Sequence, residues 1–271
     1  MKKPEIFFIF LSLLLAAGCR PGNNKGNSDT KTEGEPAAPA LVFEQERFSR
    51  QSASCEQDSN RCARVSAVYP LAVAGPEEAV RSINDSLLAY VKVSLAVFSP
   101  SPEDIPTSLD AIADDFLEEY EAVMSEAGEQ EGSWSVELEG SVLYQSDGLA
   151  AVRLGTFSYA GGAHPNSFEY LLNFDARTGK VLRLTDLVRD TARLKELAEL
   201  AFRQARELGP DENLSEAGFF WEGPFALPEN YAMTEEGLYF VYNPYEVAAY
   251  AMGPTEFTLS REELAGILNE F

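Results

Sequence analysis

The segment from Gly155 to Leu187 constrains the fold most, because it joins two extended runs through a glycine-rich hinge that holds the only histidine in the chain. Apolar side chains recur with a period near two in Val152–Tyr159 and again in Phe168–Phe174, which is the spacing of β-strands. The hinge between them, residues 160–166, reads AGGAHPN. Adjacent glycines permit positive φ or a close backbone approach, and the proline restrains His164 to extended geometry.

A hairpin turn is predicted directly after the second run. The sequence DARTG, residues 175–179, suits such a turn, with Gly179 in the left-handed conformation. Val181–Leu184 then has the pattern of a returning strand. We therefore expect a meander that forms the sheet on which the rest of the chain packs.

The rest of the folded part, about residues 41–271, mixes strands and helices. Paired strands are predicted at 43–52 and 63–73, helices at 76–97, 108–125 and 191–208, a hairpin at 134–145 and 149–159, an aromatic loop at 213–229, short strands at 231–234, 238–242 and 256–259, and a final helix from a capping box at Ser260 to Glu270. The expected fold class is α+β, a mostly antiparallel sheet with helices packed against it. The aromatic loop either fills the core or exposes an aromatic patch, and the core is favoured.

Two separated motifs carry a resemblance. The first, Tyr159–Leu187, has an aromatic residue, then GGAHPN, an aromatic-rich strand and a D-x-x-TGK turn followed by an acidic residue and leucine. The second, Leu238–Gly253, has a strand, PYE, small or apolar residues, tyrosine and glycine. Together they resemble a family of bacterial extracytoplasmic domains of unknown function. That domain forms the outer, lysozyme-binding region of the anti-sigma factor RsiV and precedes the catalytic domain of the peptidoglycan deacetylase PdaC.

The resemblance covers roughly residues 40–271 and implies an envelope-facing binding domain. The hairpin and two helices of 41–150 would form its N-terminal part, and 151–271 its C-terminal part with both motifs. The deacetylase domain, the sigma-binding segment and the membrane helix of those relatives have no counterpart in the sequence, so their activities do not carry over. The candidate binding residues lie in the motifs: Tyr159, Gly161, Gly162, His164, Asn166 and Tyr245.

The N-terminus has the pattern of a lipoprotein signal. Residues 1–18 combine two lysines with a short apolar run, and small residues precede Cys19. The run is too short to span a bilayer, so we expect cleavage and lipidation at Cys19; an ordinary secretory signal is the alternative. Residues 19–40 are polar, rich in glycine and proline, and typical of a disordered tether. The predicted location is the cell envelope, with a lipid anchor in the outer membrane or in a membrane that faces the periplasm.

Cys55 and Cys62 are the two cysteines that remain once Cys19 is lipidated. In an exported chain this even number favours a disulfide across the first hairpin. A metal site is the competing interpretation, but it would need further histidine or cysteine ligands nearby. We therefore expect no metal and no cofactor.

One histidine restricts the chemistry. The sequence has no G-x-S-x-G elbow, HExxH, phosphate loop or CxxC, so no catalytic residue is assigned and the chain is expected not to be an enzyme. The alternatives are a cryptic hydrolase that uses His164 with Tyr159 or Asn166, and a structural envelope lipoprotein without a soluble ligand. In the simplest interpretation, His164 forms hydrogen bonds with backbone groups of its own turn.

The net charge of −23 bears on the partners. It disfavours nucleic acid and anionic membranes and would steer cationic partners toward the domain. The expected partner is a basic lysozyme-like protein or peptidoglycan, beside the membrane contact through Cys19. A saline habitat or general solubility would explain the same charge.

Overall fold

The computed structural model of the chain describes residues 40–99, 105–127, 132–221 and 223–271. These belong to one compact unit, Ala38–Phe271. The predicted signal peptide, Cys19 and all of the predicted tether except Ala40 lie outside the described residues. Within the described ranges, no helix is long and apolar enough to cross a membrane.

The larger sheet contains the first two strands of the predicted meander. In chain order its strands are β1 (Val42–Gln51), β2 (Ala63–Ala74), β3 (Trp134–Gln145), β4 (Leu149–Tyr159) and β5 (Asn166–Asp175). Their spatial order is the same, β1-β2-β3-β4-β5. All neighbours are antiparallel except β2 and β3, which run parallel. A parallel pair needs a crossover connection, and helices α1 (Glu77–Leu95) and α2 (Leu109–Ala127) supply it.

A smaller sheet and two further helices form the other layer. Strands β6 (Asn230–Met233), β7 (Gly237–Tyr242) and β8 (Thr255–Ser260) are antiparallel and lie in that order. Helix α3 (Leu184–Leu187) is a single turn, and α4 (Thr191–Ala205) packs on β8. The α+β prediction, a mostly antiparallel sheet with packed helices, is therefore confirmed.

Strand β4 separates two hydrophobic clusters because its side chains alternate between faces. Ala150, Val152 and Leu154 join the cluster under α1 and α2. Leu149 and Ala151 join the cluster under the smaller sheet and α4. Both faces of the larger sheet are thus covered in this region, and the predicted border at 150/151 falls inside β4.

The aromatic loop fills the second cluster. Phe219, Phe220 and Phe225 are buried around Phe202 of α4, at ring-centroid distances of 5.1–5.8 Å. The prediction of a core role is confirmed for these three. Trp221 of the same loop is 57% exposed and therefore has no core role.

Two predicted elements are wrong. Val181–Leu184 is not a strand: Val181 forms an isolated bridge to Phe174, and the chain then turns into α3. The turn is favoured because the Asp186 carboxylate accepts a hydrogen bond from the Arg183 N–H at 2.9 Å.

The second wrong prediction is the C-terminal helix. Both capping-box hydrogen bonds between Ser260 and Glu263 form, but the chain continues as turns. Gly266 has φ +83°, and Leu268 bridges to Val188. Tertiary pairing therefore overrides the local helix signal.

The predicted disulfide between Cys55 and Cys62 is confirmed. It closes the connection between β1 and β2, which also holds a short 3₁₀ helix, Ala53–Glu56. The crosslink restrains the chain where edge strand β1 of the larger sheet connects to its neighbour β2.

Asparagine side chains join the two sheets along the free edge of β5. Asn243 Oδ1 accepts from the Glu169 N–H at 2.8 Å, and its Nδ2 donates to the Glu169 carbonyl at 3.1 Å. Buried Asn173 of β5 bonds to the backbone of β6 in the opposite direction. Its side-chain amide donates to the Tyr231 carbonyl and accepts from the Met233 N–H, both at 2.9 Å. Amide side chains thus supply the hydrogen bonds that another strand would supply.

Substitution of Gly179 tests whether the turn after β5 requires glycine. Its φ is +73°, and an added Cβ would lie 2.6 Å from the Ala79 carbonyl oxygen of α1. We expect Gly179→Ala to lower the free energy of unfolding by about 2–3 kcal/mol, because it combines left-handed strain with a backbone clash. Denaturant unfolding measures this. Gly162→Ala is the matched control, since no atom lies within 4 Å of its added Cβ; equal losses in the two variants would contradict the prediction.

Candidate functional site

Residues from the two sequence motifs meet in an aromatic cluster. The His164 ring stacks on Tyr250, with centroids 3.8 Å apart and planes 17° from parallel. Tyr245 lies beside both rings, 6.5 Å from His164 and 5.6 Å from Tyr250. We call His164, Tyr245 and Tyr250 the aromatic cluster.

Hydrogen bonds fix this arrangement. The Tyr250 hydroxyl donates to the Pro165 carbonyl at 2.6 Å, and His164 Nδ1 lies 2.9 Å from the same oxygen. Because a carbonyl only accepts, Nδ1 is the donor and carries a proton. Nε2 then faces the Tyr245 hydroxyl at 3.4 Å. Both ring nitrogens of the histidine therefore have partners inside the site.

The turn after β7 places the tyrosines. Asn243 holds the start of this turn against β5 through its two hydrogen bonds to Glu169. The Glu246 carboxylate accepts from the Asn243 N–H at 2.8 Å and closes the turn. Tyr245 sits in the left-handed region with φ 69°, which is uncommon for a bulky residue and is often found at functional sites.

The aromatic cluster faces solvent. Tyr245 is 56% exposed, His164 is exposed and Tyr250 is half-buried. Aromatic rings held rigidly at a surface are typical of binding sites, because they offer contact area at a small cost in side-chain entropy.

A cleft of about 260 Å³ adjoins the cluster. It lies between the larger sheet and the end of the smaller one, and its lining includes Pro244, next to Tyr245, and Ser167, next to Asn166. Its charged residues are one guanidinium and four carboxylates: Arg153, Glu137, Glu139, Glu169 and Glu256.

Carboxylates outnumber cations in this cleft. Arg153 pairs with Glu169, and that hydrogen bond raises the pKa of the Arg153 guanidinium. Glu169 Oε2 is buried and has no hydrogen-bond partner within the described residues. Glu256 accepts from the Tyr239 hydroxyl at 2.8 Å, and burial together with this bond raises the pKa of Tyr239. The cleft is therefore net negative and suits a cationic group.

Residues 185–262 match the family described as protein of unknown function, DUF3298. A DUF3298 family domain is thus found over residues 185–262 alone. The matched range includes Tyr245 and Tyr250, whereas His164 lies before it.

Solved structures of DUF3298 proteins have the same fold. A family member from Bacteroides fragilis NCTC 9343 is 19% identical with a TM-score of 0.65, covering 85% of this chain and 94% of that one. A family protein from Pseudomonas aeruginosa PAO1 is 24% identical with a TM-score of 0.60, covering 85% and 95%. At these identities the likeness establishes the fold alone. No curated protein matches the chain.

The sequence-predicted binding residues are only partly brought together. His164 and Tyr245 are in contact, whereas Tyr159 ends β4 and has no ring contact or hydrogen bond with His164 in the described structure. An added Cβ at Gly161 would lie 3.1 Å from the Trp134 indole nitrogen, and Gly162 has open space around it. Asn166 is exposed and pairs with Ser158.

Sequence reasoning missed Tyr250 and the acidic cleft. Tyr250 lies within the second motif, so its position there could have identified it as a candidate binding residue. The cleft draws on β3, β4, β5 and β8, and no local pattern links its residues. Among the described residues, no group of three or more metal-ligating side chains is present.

Substitution of Asn243 tests whether its side-chain hydrogen bonds hold the turn after β7 against β5. We expect Asn243→Ala to lower the free energy of unfolding by about 1–3 kcal/mol, because it leaves the Glu169 N–H and carbonyl without partners. Hydrogen exchange should become faster in residues 163–169 and 243–250. Asn60→Ala is the control, since Asn60 is exposed and distant in sequence from both segments. Unchanged exchange in both segments of Asn243→Ala would show that the bridge does not hold the site.

Proposed function

We propose that this chain is a lipid-anchored, non-catalytic protein of the bacterial cell envelope. In this proposal, the aromatic cluster and the adjoining cleft bind a basic wall-active protein such as lysozyme. The resemblance to the RsiV-type extracytoplasmic domain supports the choice of partner. The DUF3298 match and the shared fold are consistent with it.

One observation carries the proposal. His164 of the first motif and Tyr245 of the second are 81 positions apart in the sequence, yet the two side chains meet at the surface. Residues that served only the core would be buried, but Tyr245 is more than half exposed. Clustered surface tyrosines are common anchors of protein interfaces.

Charge supports a basic partner. The chain has a net charge of −23, which would accelerate the approach of a cationic protein. The cleft then offers an unpaired carboxylate oxygen, Glu169 Oε2, beside Glu137, Glu139 and Glu256. A lysine or arginine side chain of the partner would enter there while its neighbours contact the aromatic cluster.

The contacts of His164 suit a binding role. A hydrolytic histidine needs a nucleophile on one ring nitrogen and an orienting group on the other. Here Nδ1 donates to the Pro165 carbonyl and Nε2 faces the Tyr245 hydroxyl. We therefore assign His164 to positioning the tyrosines and contacting the partner.

Binding is tested by calorimetric titration of the chain from Ala38 onward with a c-type lysozyme at low and moderate ionic strength. We expect binding that weakens with salt, because exposed charges are screened. His164→Ala and Tyr245→Ala should each weaken it by roughly tenfold, the effect of losing a significant interface residue. Leu200→Ala, which removes an exposed apolar side chain of α4, is the control and should bind as the parent does.

Other outcomes separate the alternatives. Absence of heat at either ionic strength would overturn the lysozyme proposal, and heat with peptidoglycan fragments would assign the surface to glycan. Hydrolysis of a wall substrate that is lost in His164→Ala would identify an enzyme. Loss of envelope integrity on deletion, without a binding partner, would identify a structural lipoprotein.

The proposed anchor has its own test. Cys19→Ser removes the thiol that would carry lipid, so we expect the variant to move from the detergent phase to the aqueous phase on phase partitioning. The matched control is Cys55→Ser together with Cys62→Ser, which removes the other two cysteines and should remain with detergent. Partitioning of Cys19→Ser with detergent would contradict the anchor.

A further inference from the structure

A second surface lies where the end of α1 and one face of α2 meet the start of β3, beside Ala160 at the start of the hinge. It is a groove of about 800 Å³, the helical groove, with an aromatic floor of Phe98, Phe116 and Trp134. Phe98 stacks on Phe116 at 5.6 Å, and Phe116 lies 5.8 Å from Trp134. Phe98 is 41% exposed, so part of this floor is open to solvent.

The rim of the groove is acidic. Asp115, Glu118 and Glu119 are exposed on α2 and line it. On the same helix, Asp110 and Asp114 are paired with Arg50, at 2.7 and 2.5 Å. The three rim carboxylates have no ion pair with any described residue. An apolar floor is thus bordered by negative charge that the chain does not neutralise.

Trp134 adds a polar group to the floor. The residue is only 9% exposed, and its indole N–H has no hydrogen-bond partner among the described residues. The indole nitrogen is not one of the buried side-chain atoms that lack a partner, so this N–H reaches the solvent of the groove. It is therefore free to donate to a carbonyl or hydroxyl of a ligand there.

We propose that the helical groove binds a cationic amphipathic segment of a partner protein. Apolar side chains of that segment would cover Phe98 and Phe116, and its lysines or arginines would pair with the rim carboxylates. A backbone carbonyl would accept from the Trp134 indole. This surface goes beyond the proposed function and does not depend on lysozyme binding at the aromatic cluster.

The aromatic residues make the groove directly observable. The chain has two tryptophans, so Trp134 is the sole tryptophan in a Trp221→Phe background. The probe is a synthetic peptide of leucine and lysine with helical amphipathic order, added to the chain from Ala38 onward. We expect saturable binding that shifts Trp134 emission. A scrambled peptide of the same composition should bind roughly tenfold more weakly, because its apolar residues do not share one face.

Charge variants locate the binding. Asp115→Asn, Glu118→Gln and Glu119→Gln together should weaken peptide binding by roughly tenfold, through loss of three rim charges. The control combines Glu235→Gln, Glu236→Gln and Glu262→Gln, which changes the net charge equally at exposed positions near the second cluster. It should stay within about twofold of the parent, the scale of long-range screening. Equal weakening in both triple variants would overturn the proposal, because the attraction would be diffuse.

A variant that leaves the net charge unchanged tests the apolar contribution of the floor. Phe98→Ala removes an exposed part of the floor and should weaken the amphipathic peptide while leaving the unfolding transition close to that of the parent. Absence of a Trp134 emission change on peptide binding would overturn the proposal. Displacement of the peptide by a neutral chitooligosaccharide that itself shifts Trp134 emission would also overturn it, in favour of a glycan groove. Failure of lysozyme binding with retained peptide binding would overturn only the proposed function.

Discussion

Hydrogen bonds from asparagine side chains to the free edge of β5 are the interaction on which the site depends. An edge strand exposes a row of backbone donors and acceptors, which usually pair with another strand or with water. Here Asn243 and Asn230 turn those groups toward the smaller sheet, and Asn173 reaches from β5 into β6. The hydrogen bond from the Tyr250 hydroxyl to the Pro165 carbonyl and the stacking of His164 on Tyr250 then join the PYE turn directly to the hinge.

Strand β4 makes the two layers one continuous domain. It contributes to both hydrophobic clusters, so neither layer has a core that is separate from the larger sheet. The second cluster is completed from the aromatic loop and Phe202 of α4. A match over 185–262 therefore covers only the part that docks on β5, and the hinge that carries His164 belongs to the sheet beneath it.

Strong periodicity made the strands and long helices predictable. β3 and β4 have the predicted bounds, and α1 differs only at its ends. The failures have different causes. After Val181, the local hydrogen bond from the Arg183 N–H to the Asp186 carboxylate turns the chain into α3. In the C-terminal segment, the tertiary pairing of Leu268 with Val188 overrides the helix signal. The sequence predicted part of the candidate site. Motif membership indicated His164 and Tyr245, but the acidic cleft depends on which strands become neighbours, and sequence spacing alone does not encode that.

The two surfaces share a physical character, since exposed aromatic side chains lie beside carboxylates that outnumber the cations around them. In both proposals, charge would speed the approach of a basic partner and aromatic contacts would set the residence time.

Because the chain has one histidine, its imidazole gives a single site-specific NMR signal at the proposed interface. The most direct test is to titrate unlabelled lysozyme into isotope-labelled protein and follow the imidazole resonances of His164. The account predicts that they shift or broaden in step with binding. Binding that leaves them unchanged would place the partner elsewhere and contradict the assignment of the aromatic cluster.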